Sequence, residues 1–144
     1  MTAIKIIFRT DIVHTDKLQT AKLSSSREAV NFFQEQIGTR AQEVVAVIYL
    51  DVNCVVISYE EVFVGGLASC HADPKIIFRN ALLQSASFLI LAHNHPSGNS
   101  NPSEDDHALT KRIKNVGELV GVRLMDHLVV TPDDYYSFLD EGRL

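Results

Sequence analysis

Two histidines, a serine and an aspartate fall within one short stretch, His93-Asn-His95-Pro-Ser-Gly-Asn-Ser-Asn-Pro-Ser103-Glu-Asp-Asp106. The residues just before it, Ser87 to Ala92, read as a short buried strand carrying Phe, Leu, Ile and Leu with no charge. In an extended chain, residues two apart point the same way, so His93 and His95 can aim at one point beyond the strand's end. Pro102-Ser103-Glu-Asp-Asp106 then opens a helix, with Ser103 as N-cap and Asp106 in the first turn. Two imidazoles and a carboxylate brought together by a turn make a three-ligand zinc set, and a catalytic zinc keeps its fourth position for water. Such a water titrates near pH 7 instead of about 15.7, which gives hydroxide at neutrality. A plainer reading stands beside this one, because Ser-x-x-Asp is also a variant of the capping box found on many helices. The whole string is far more specific, since it fixes the residue at four positions across a strand, a loop and a helix start.

The elements that must position these residues follow from periodicity. Ser25-Ser-Arg-Glu28 is a capping box, and the helix it opens runs to about Ile37 with Ala29, Val30, Phe33 and Ile37 on one stripe and Gly38 as the stop. Glu43 precedes Val44 to Leu50, a near-continuous apolar run that predicts a central strand covered on both faces. Asp51-Val-Asn53 is a turn, and Cys54 to Glu61 is the partner strand of a hairpin. A further short strand fits Val62 to Ser69, with Gly65-Gly66 as a bend or bulge. Asp73-Pro74 caps a helix ending near Ser85, and the helix from Ser103 extends to about Val120. Val122 to Val130 predicts another strand, and Thr131-Pro132-Asp-Asp predicts a last short helix ending near Leu139. Residues 1–10 read as an edge strand and Asp11 to Leu23 as an irregular arm that could pair with a second copy of the chain. The expected domain plan is an N-terminal strand and arm over 1–24 and a single domain over 25–144. The expected fold class is α/β, a three-layer α-β-α arrangement around a mixed, mainly antiparallel sheet.

The histidine string resembles the JAMM signature of JAB/MPN metalloproteases, and its wording, His-Asn-His-Pro-Ser-Gly and then Pro-Ser, is similar to the RadC branch. The likeness extends to Glu43-Val-Val-Ala-Val-Ile-Tyr-Leu-Asp51, Glu60-Glu61-Val, Gly65 with Leu67, Phe78-Arg-Asn-Ala-Leu and Asp126-His127-Leu-Val-Val, so it covers about residues 25 to 130. The resemblance implies a JAB/MPN-like three-layer core with Zn²⁺ held by His93, His95 and Asp106. It implies that Glu43 is the general acid/base; Glu60 and Glu61 stand as alternatives, because they lie on a strand where one could face the same cleft. It implies that the Ser103 hydroxyl supports the oxyanion formed when hydroxide attacks a carbonyl. The expected function is hydrolysis of a peptide or isopeptide amide in a protein or peptide substrate. The alternative is a non-catalytic MPN-type binding module associated with DNA-repair or mobile-element functions. RadC proteins commonly carry Arg-Gly-Thr-Leu and His-Pro-Arg-Glu where this chain has Val64-Gly65-Gly66-Leu67 and Asp73-Pro74-Lys75-Ile76, a departure on the substrate side. Relatives also place a helix-hairpin-helix region ahead of the metal domain, which the roughly 24 residues before the first helix are expected not to supply.

The remaining histidines carry weaker signals. His127 beside Asp126 fits a half-buried strand residue better than a group orienting a ligand, and His107 points about 100° around the helix from Asp106. His14 and His71 belong to no motif. Neither Gly-x-Ser-x-Gly nor the His-x-Glu with Pro-Cys-x-x-Cys of a deaminase is present.

At 144 residues the length suits one domain with a real core, and 46% apolar and 22% charged residues are ordinary for a globular chain. A formal net charge of −5 argues against direct nucleic-acid binding. Cys54 and Cys70 lack a Cys-x-x-Cys spacing and read as free thiols. Met1 to Arg9 is too short an apolar run for a signal peptide, and no stretch reaches 18 apolar residues. A cytoplasmic setting with no membrane partner is expected.

Overall fold

The run Glu43–Leu50 lies at the heart of the molecule because its side chains are apolar on both sides of the strand. Every residue from Val44 to Leu50 is fully buried in the computed structural model, which describes residues 22–23, 25–65 and 72–144. This strand, β1, pairs antiparallel with β2 (Val56–Gly65) on one side and with β3 (Phe88–Asn94) on the other. Beyond β3 lie β4 (Arg123–Val130), which is parallel to it, and β5 (Tyr135–Ser137), antiparallel to β4. The sheet order is therefore β2-β1-β3-β4-β5, mixed and mainly antiparallel.

Three helices among the described residues cover the two faces. Helix α1 (Ser26–Ile37) starts at Ser25, whose hydroxyl accepts from the Glu28 N–H. It buries Ala29, Val30, Phe33 and Ile37 against the even-numbered face of β1, with Ile90, Ala92, Leu128 and Val130. Helices α2 (Pro74–Leu83) and α3 (Glu104–Val120) cover the other face, where Ile77, Phe78, Leu109 and Ile113 pack on Val45, Val47, Tyr49, Leu89 and Leu91. Burying each such large apolar side chain contributes about 1.5–3 kcal/mol. Helix α3 is the crossover between the parallel strands β3 and β4, and it ends on Gly121, whose φ of 78° is open to glycine at little cost.

Two expectations need correcting. The hairpin partner of β1 is one strand through Gly65, not two: register shifts opposite Val45/Ala46 and Tyr49/Leu50 take up the irregularity without ending the pairing. The second lies after β4, where no helix forms. Thr131 N–H donates to the Asp134 carbonyl and Asp134 N–H donates to the Thr131 hydroxyl, which closes a hairpin turn. The aromatic pair Tyr135-Tyr136 then continues as β5. The buried Asp126 carboxylate fixes this end by accepting from the Ser137 hydroxyl at 2.6 Å and the Leu139 N–H at 3.0 Å. The proposed strand over 1–10, most of the arm, Cys70, His14 and His71 lie outside the described residues; Cys54 is a half-buried free thiol.

On the α2 face, Asn80 Nδ2 lies 2.7 and 2.5 Å from the two carboxylate oxygens of Glu60. Burial raises the Glu60 carboxyl above its ordinary 4.5, while Asn80 and Arg79 oppose the shift. A carboxyl whose pKa is higher folded than unfolded binds more protons in the native state, so its stabilising effect is complete below 4.5 and is lost as pH rises through the raised value. Glu60→Gln keeps an acceptor for Asn80 and does not titrate. Urea midpoints measured from acid to neutral pH should therefore show the variant gaining on the parent as pH rises. A difference constant across that range would contradict this.

Candidate metal centre

The C-terminal end of β3 and the N-terminus of α3 meet where the chain crosses from one to the other. There His93, His95 and Asp106 converge, with His93 and Asp106 fully buried and His95 half-buried. His93 Nε2 lies 3.0 Å from His95 Nε2 and 3.1 Å from Asp106 Oδ1, and His95 Nε2 lies 3.3 Å from Asp106 Oδ2. Metal–ligand bonds of about 2.0–2.1 Å in a tetrahedron require neighbouring donor atoms about 3.3 Å apart. The three side chains therefore stand close enough to share one ion, the two imidazoles meeting different oxygens of the Asp106 carboxylate, and the donor chemistry, two imidazoles and a carboxylate, suits zinc.

Each ligand is held from behind. His95 Nδ1 lies 2.8 Å from the Asn99 carbonyl, which can only accept, so Nδ1 carries a proton and Nε2 is the nitrogen turned toward the centre. Asp106 forms a full capping box with Ser103: the Ser103 N–H donates to Oδ2 at 2.8 Å and the Asp106 N–H donates to the Ser103 hydroxyl at 3.2 Å. Burial would raise the Asp106 carboxyl, but hydrogen bonds from His93, His95 and the Ser103 N–H outweigh it and hold the group well below the usual carboxylate range. Its place at a helix N-terminus favours the same charge. The Asp106 hydrogen bond, opposed by partial burial, raises the His95 imidazole above its ordinary 6.5. Ser103 itself is exposed, and capping uses its oxygen only as an acceptor, so its own hydroxyl hydrogen is available to a neighbour.

Register places the three glutamates at different levels of the sheet. Val45 pairs with His93 across the antiparallel strands, so Glu43, two residues earlier, stands on the same side of the sheet, level with His95. Its charge acts on the His95 imidazole. Glu60 is opposite Val47, four residues further along β1 and so about 13 Å from the level of Glu43. Glu61 is opposite Ala46, on the α1 side, where it meets Arg40 at 3.0 Å and the Tyr59 hydroxyl at 3.2 Å.

Sequence reasoning misses one residue at this site, Asn94, and takes the weaker of two readings for another, His127. Asn94, between the two histidines, is fully buried and faces the opposite way. Its Oδ1 accepts from the Val44 N–H at 2.7 Å, and its Nδ2 donates to the carbonyls of Arg40 and Gln42 at 3.2 and 3.0 Å. One amide thereby pins the segment that carries Glu43 to the strand that carries the ligands; no local pattern marks it. His127 is fully buried on β4 with Nε2 2.9 Å from His93 Nδ1, so the expectation of a half-buried strand histidine is overturned. The parallel pairing of β3 with β4, which sets Leu91 opposite His127, brings it one step below His93 on the same face. His107 points away from the centre and meets the Phe138 ring edge-on at 5.1 Å.

An α/β sheet of this order, with a His-x-His strand end facing an aspartate at the next helix start, is the arrangement of a JAB-type domain. Residues 23–143 match the model of the RadC-like JAB domain, and the chain belongs to that family. It is 42% identical over 127 residues to a UPF0758 protein of Flavobacterium johnsoniae, covering 88% of this chain and 56% of that one. It is 41% identical over 122 residues to a UPF0758 protein of Xanthomonas axonopodis pv. citri, covering 85% and 54%, and 40% identical over 131 residues to one of Janthinobacterium, covering 90% and 58%. The chain thus spans about half the length of the curated relatives it matches. Among the described residues, no helix is long and apolar enough to cross a membrane.

Proposed function

We propose that this domain is a zinc-dependent hydrolase of JAMM type that cleaves a peptide or isopeptide amide. The observation that carries the reading is the convergence of His93, His95 and Asp106 at spacings of 3.0 to 3.3 Å, with Glu43 on the same face of the sheet. Zinc held by these three would polarise its water so that it ionises near neutral pH. Glu43 takes a proton from the attacking water and returns it to the leaving amine, one carboxylate serving in turn as base and acid. Ser103 donates its hydroxyl hydrogen to the carbonyl oxygen as charge develops there. His95 and Asp106 hold their ligating atoms forward through the Asn99 carbonyl and the Ser103 N–H, so little reorganisation is needed when substrate arrives.

The test is hydrolysis of a panel of short peptides and ubiquitin-like conjugates by zinc-loaded protein, by protein stripped with a chelator, and by stripped protein given zinc again. Turnover that disappears on stripping and returns with zinc is the expected result. Zinc-loaded protein that cleaves nothing in the panel, yet binds a conjugate, would instead favour a non-catalytic binding module.

A further inference from the structure

His95 fixes its proton against a backbone carbonyl directly, but His93 has no carbonyl behind it. Its Nδ1 faces His127 Nε2 at 2.9 Å, and either nitrogen could in principle carry the hydrogen between them. The choice is made two residues away. On the far side of its ring, His127 Nδ1 lies 2.6 Å from the Thr110 hydroxyl, and that hydroxyl lies 2.7 Å from the Asp106 backbone carbonyl. A carbonyl only accepts, and a hydroxyl has one hydrogen to give. If Thr110 gave it to His127, two oxygens would face each other at 2.7 Å with nothing between them. Both contacts become hydrogen bonds only when Thr110 donates to the Asp106 carbonyl and His127 Nδ1–H donates to Thr110. His127 is fully buried, with no carboxylate among its hydrogen-bond partners, and is a neutral ring. Its Nε2 is then a lone pair, and His93 Nδ1 must carry the hydrogen that meets it.

The geometry points to a proton-ordering chain, Asp106 carbonyl to Thr110 to His127 to His93, that keeps a hydrogen on His93 Nδ1 and so reserves Nε2 as the nitrogen that can bind metal. This inference rests on the proposed zinc site and makes Thr110 and His127 positioning residues, since neither offers an atom to the metal. The chain begins and ends on ligands: the residue whose carboxylate approaches the metal on one side also orders, through its own peptide oxygen, the imidazole on the other. Stacking on Phe138, with ring centroids 4.8 Å apart and planes 7° from parallel, holds the His127 ring in place. Turning that ring over would put carbon where both its nitrogens now find partners.

Thr110→Val keeps the shape and removes the hydroxyl, so His127 loses the acceptor that holds its proton on Nδ1. The proton moves to Nε2, donates to His93 Nδ1, and leaves the His93 ligating position protonated. Zinc affinity, measured by competition with a chromophoric chelator, is expected to fall about 10–100-fold in Thr110→Val. Thr110→Ser, which restores the hydroxyl, should stay close to the parent. A folded Thr110→Val that binds zinc as tightly as the parent overturns the chain. Nitrogen-15 correlation spectra of the wild-type histidine rings give a second reading that needs neither a variant nor activity: His127 should be the Nδ1–H tautomer in both zinc-loaded and metal-free protein. An Nε2–H His127 would overturn the inference even if zinc binds. An Nδ1–H His127 in protein that takes up no zinc would sustain the ordering chain while removing the hydrolase reading.

Discussion

Glu43→Gln should reduce hydrolysis about 10²–10⁴-fold, the usual contribution of a positioned acid/base, while zinc content stays at the parent level. The amide is the same size as the carboxylate and can still accept a hydrogen bond, but it cannot take and return a proton at neutral pH. Glu43 opens β1 two residues before Val45, which pairs with His93, and it acts on His95 through its charge without belonging to the converging trio. The loss should therefore appear in kcat with zinc still bound. Glu60→Gln and Glu61→Gln serve as internal comparisons, because one side chain is engaged with Asn80 and the other with Arg40. Equal rates from Glu43→Gln and parent enzyme would remove Glu43 from the chemistry. A large loss in Glu60→Gln instead would move the acid/base role along β2.

Asn94→Asp should be the most destabilising single-atom exchange near the site. The new carboxylate can still accept from the Val44 N–H, but its second oxygen replaces the amide donor that satisfies the carbonyls of Arg40 and Gln42. Leaving a buried polar group unpaired costs about 1–3 kcal/mol. The fully buried position 94, left with a charge and no donor, places the loss at about 1–3 kcal/mol, read as a shift in the urea midpoint. The same change frees the segment before β1, so hydrolysis should fall further than zinc content does. A variant as stable as the parent would show that Asn94 is not the clamp between Glu43 and the ligand strand.

Much of this was legible in the chain. The apolar run of β1, the capped starts of α1, α2 and α3 and the His-x-His strand end are local patterns, and local patterns survive into the fold. The failures came where one set of residues serves two conformations. Thr131-Pro132-Asp-Asp has the composition of a helix start, but Thr131 and Asp134 bond to each other and close a hairpin, and the tyrosines that follow find a partner in β4. Val62 to Ser69 reads as a separate strand, but as far as Gly65 it continues β2, because a bulge breaks the alternation without breaking the pairing. At the site, the ligand types and spacing could be read directly. The supports could not: Asn94 and His127 act on residues that only the β1–β3 and β3–β4 pairings bring near them.

Everything proposed for this domain depends on a divalent ion resting among His93 Nε2, His95 Nε2 and an Asp106 carboxylate oxygen. The most direct measurement is the zinc content of purified protein, after dialysis against a weak chelator, for the parent and for His95→Ala. The parent should retain about one zinc per chain, as a three-ligand site with supported imidazoles requires, and His95→Ala should lose it while remaining folded. A parent that holds no zinc, or a His95→Ala that keeps a full equivalent, would contradict the metal centre.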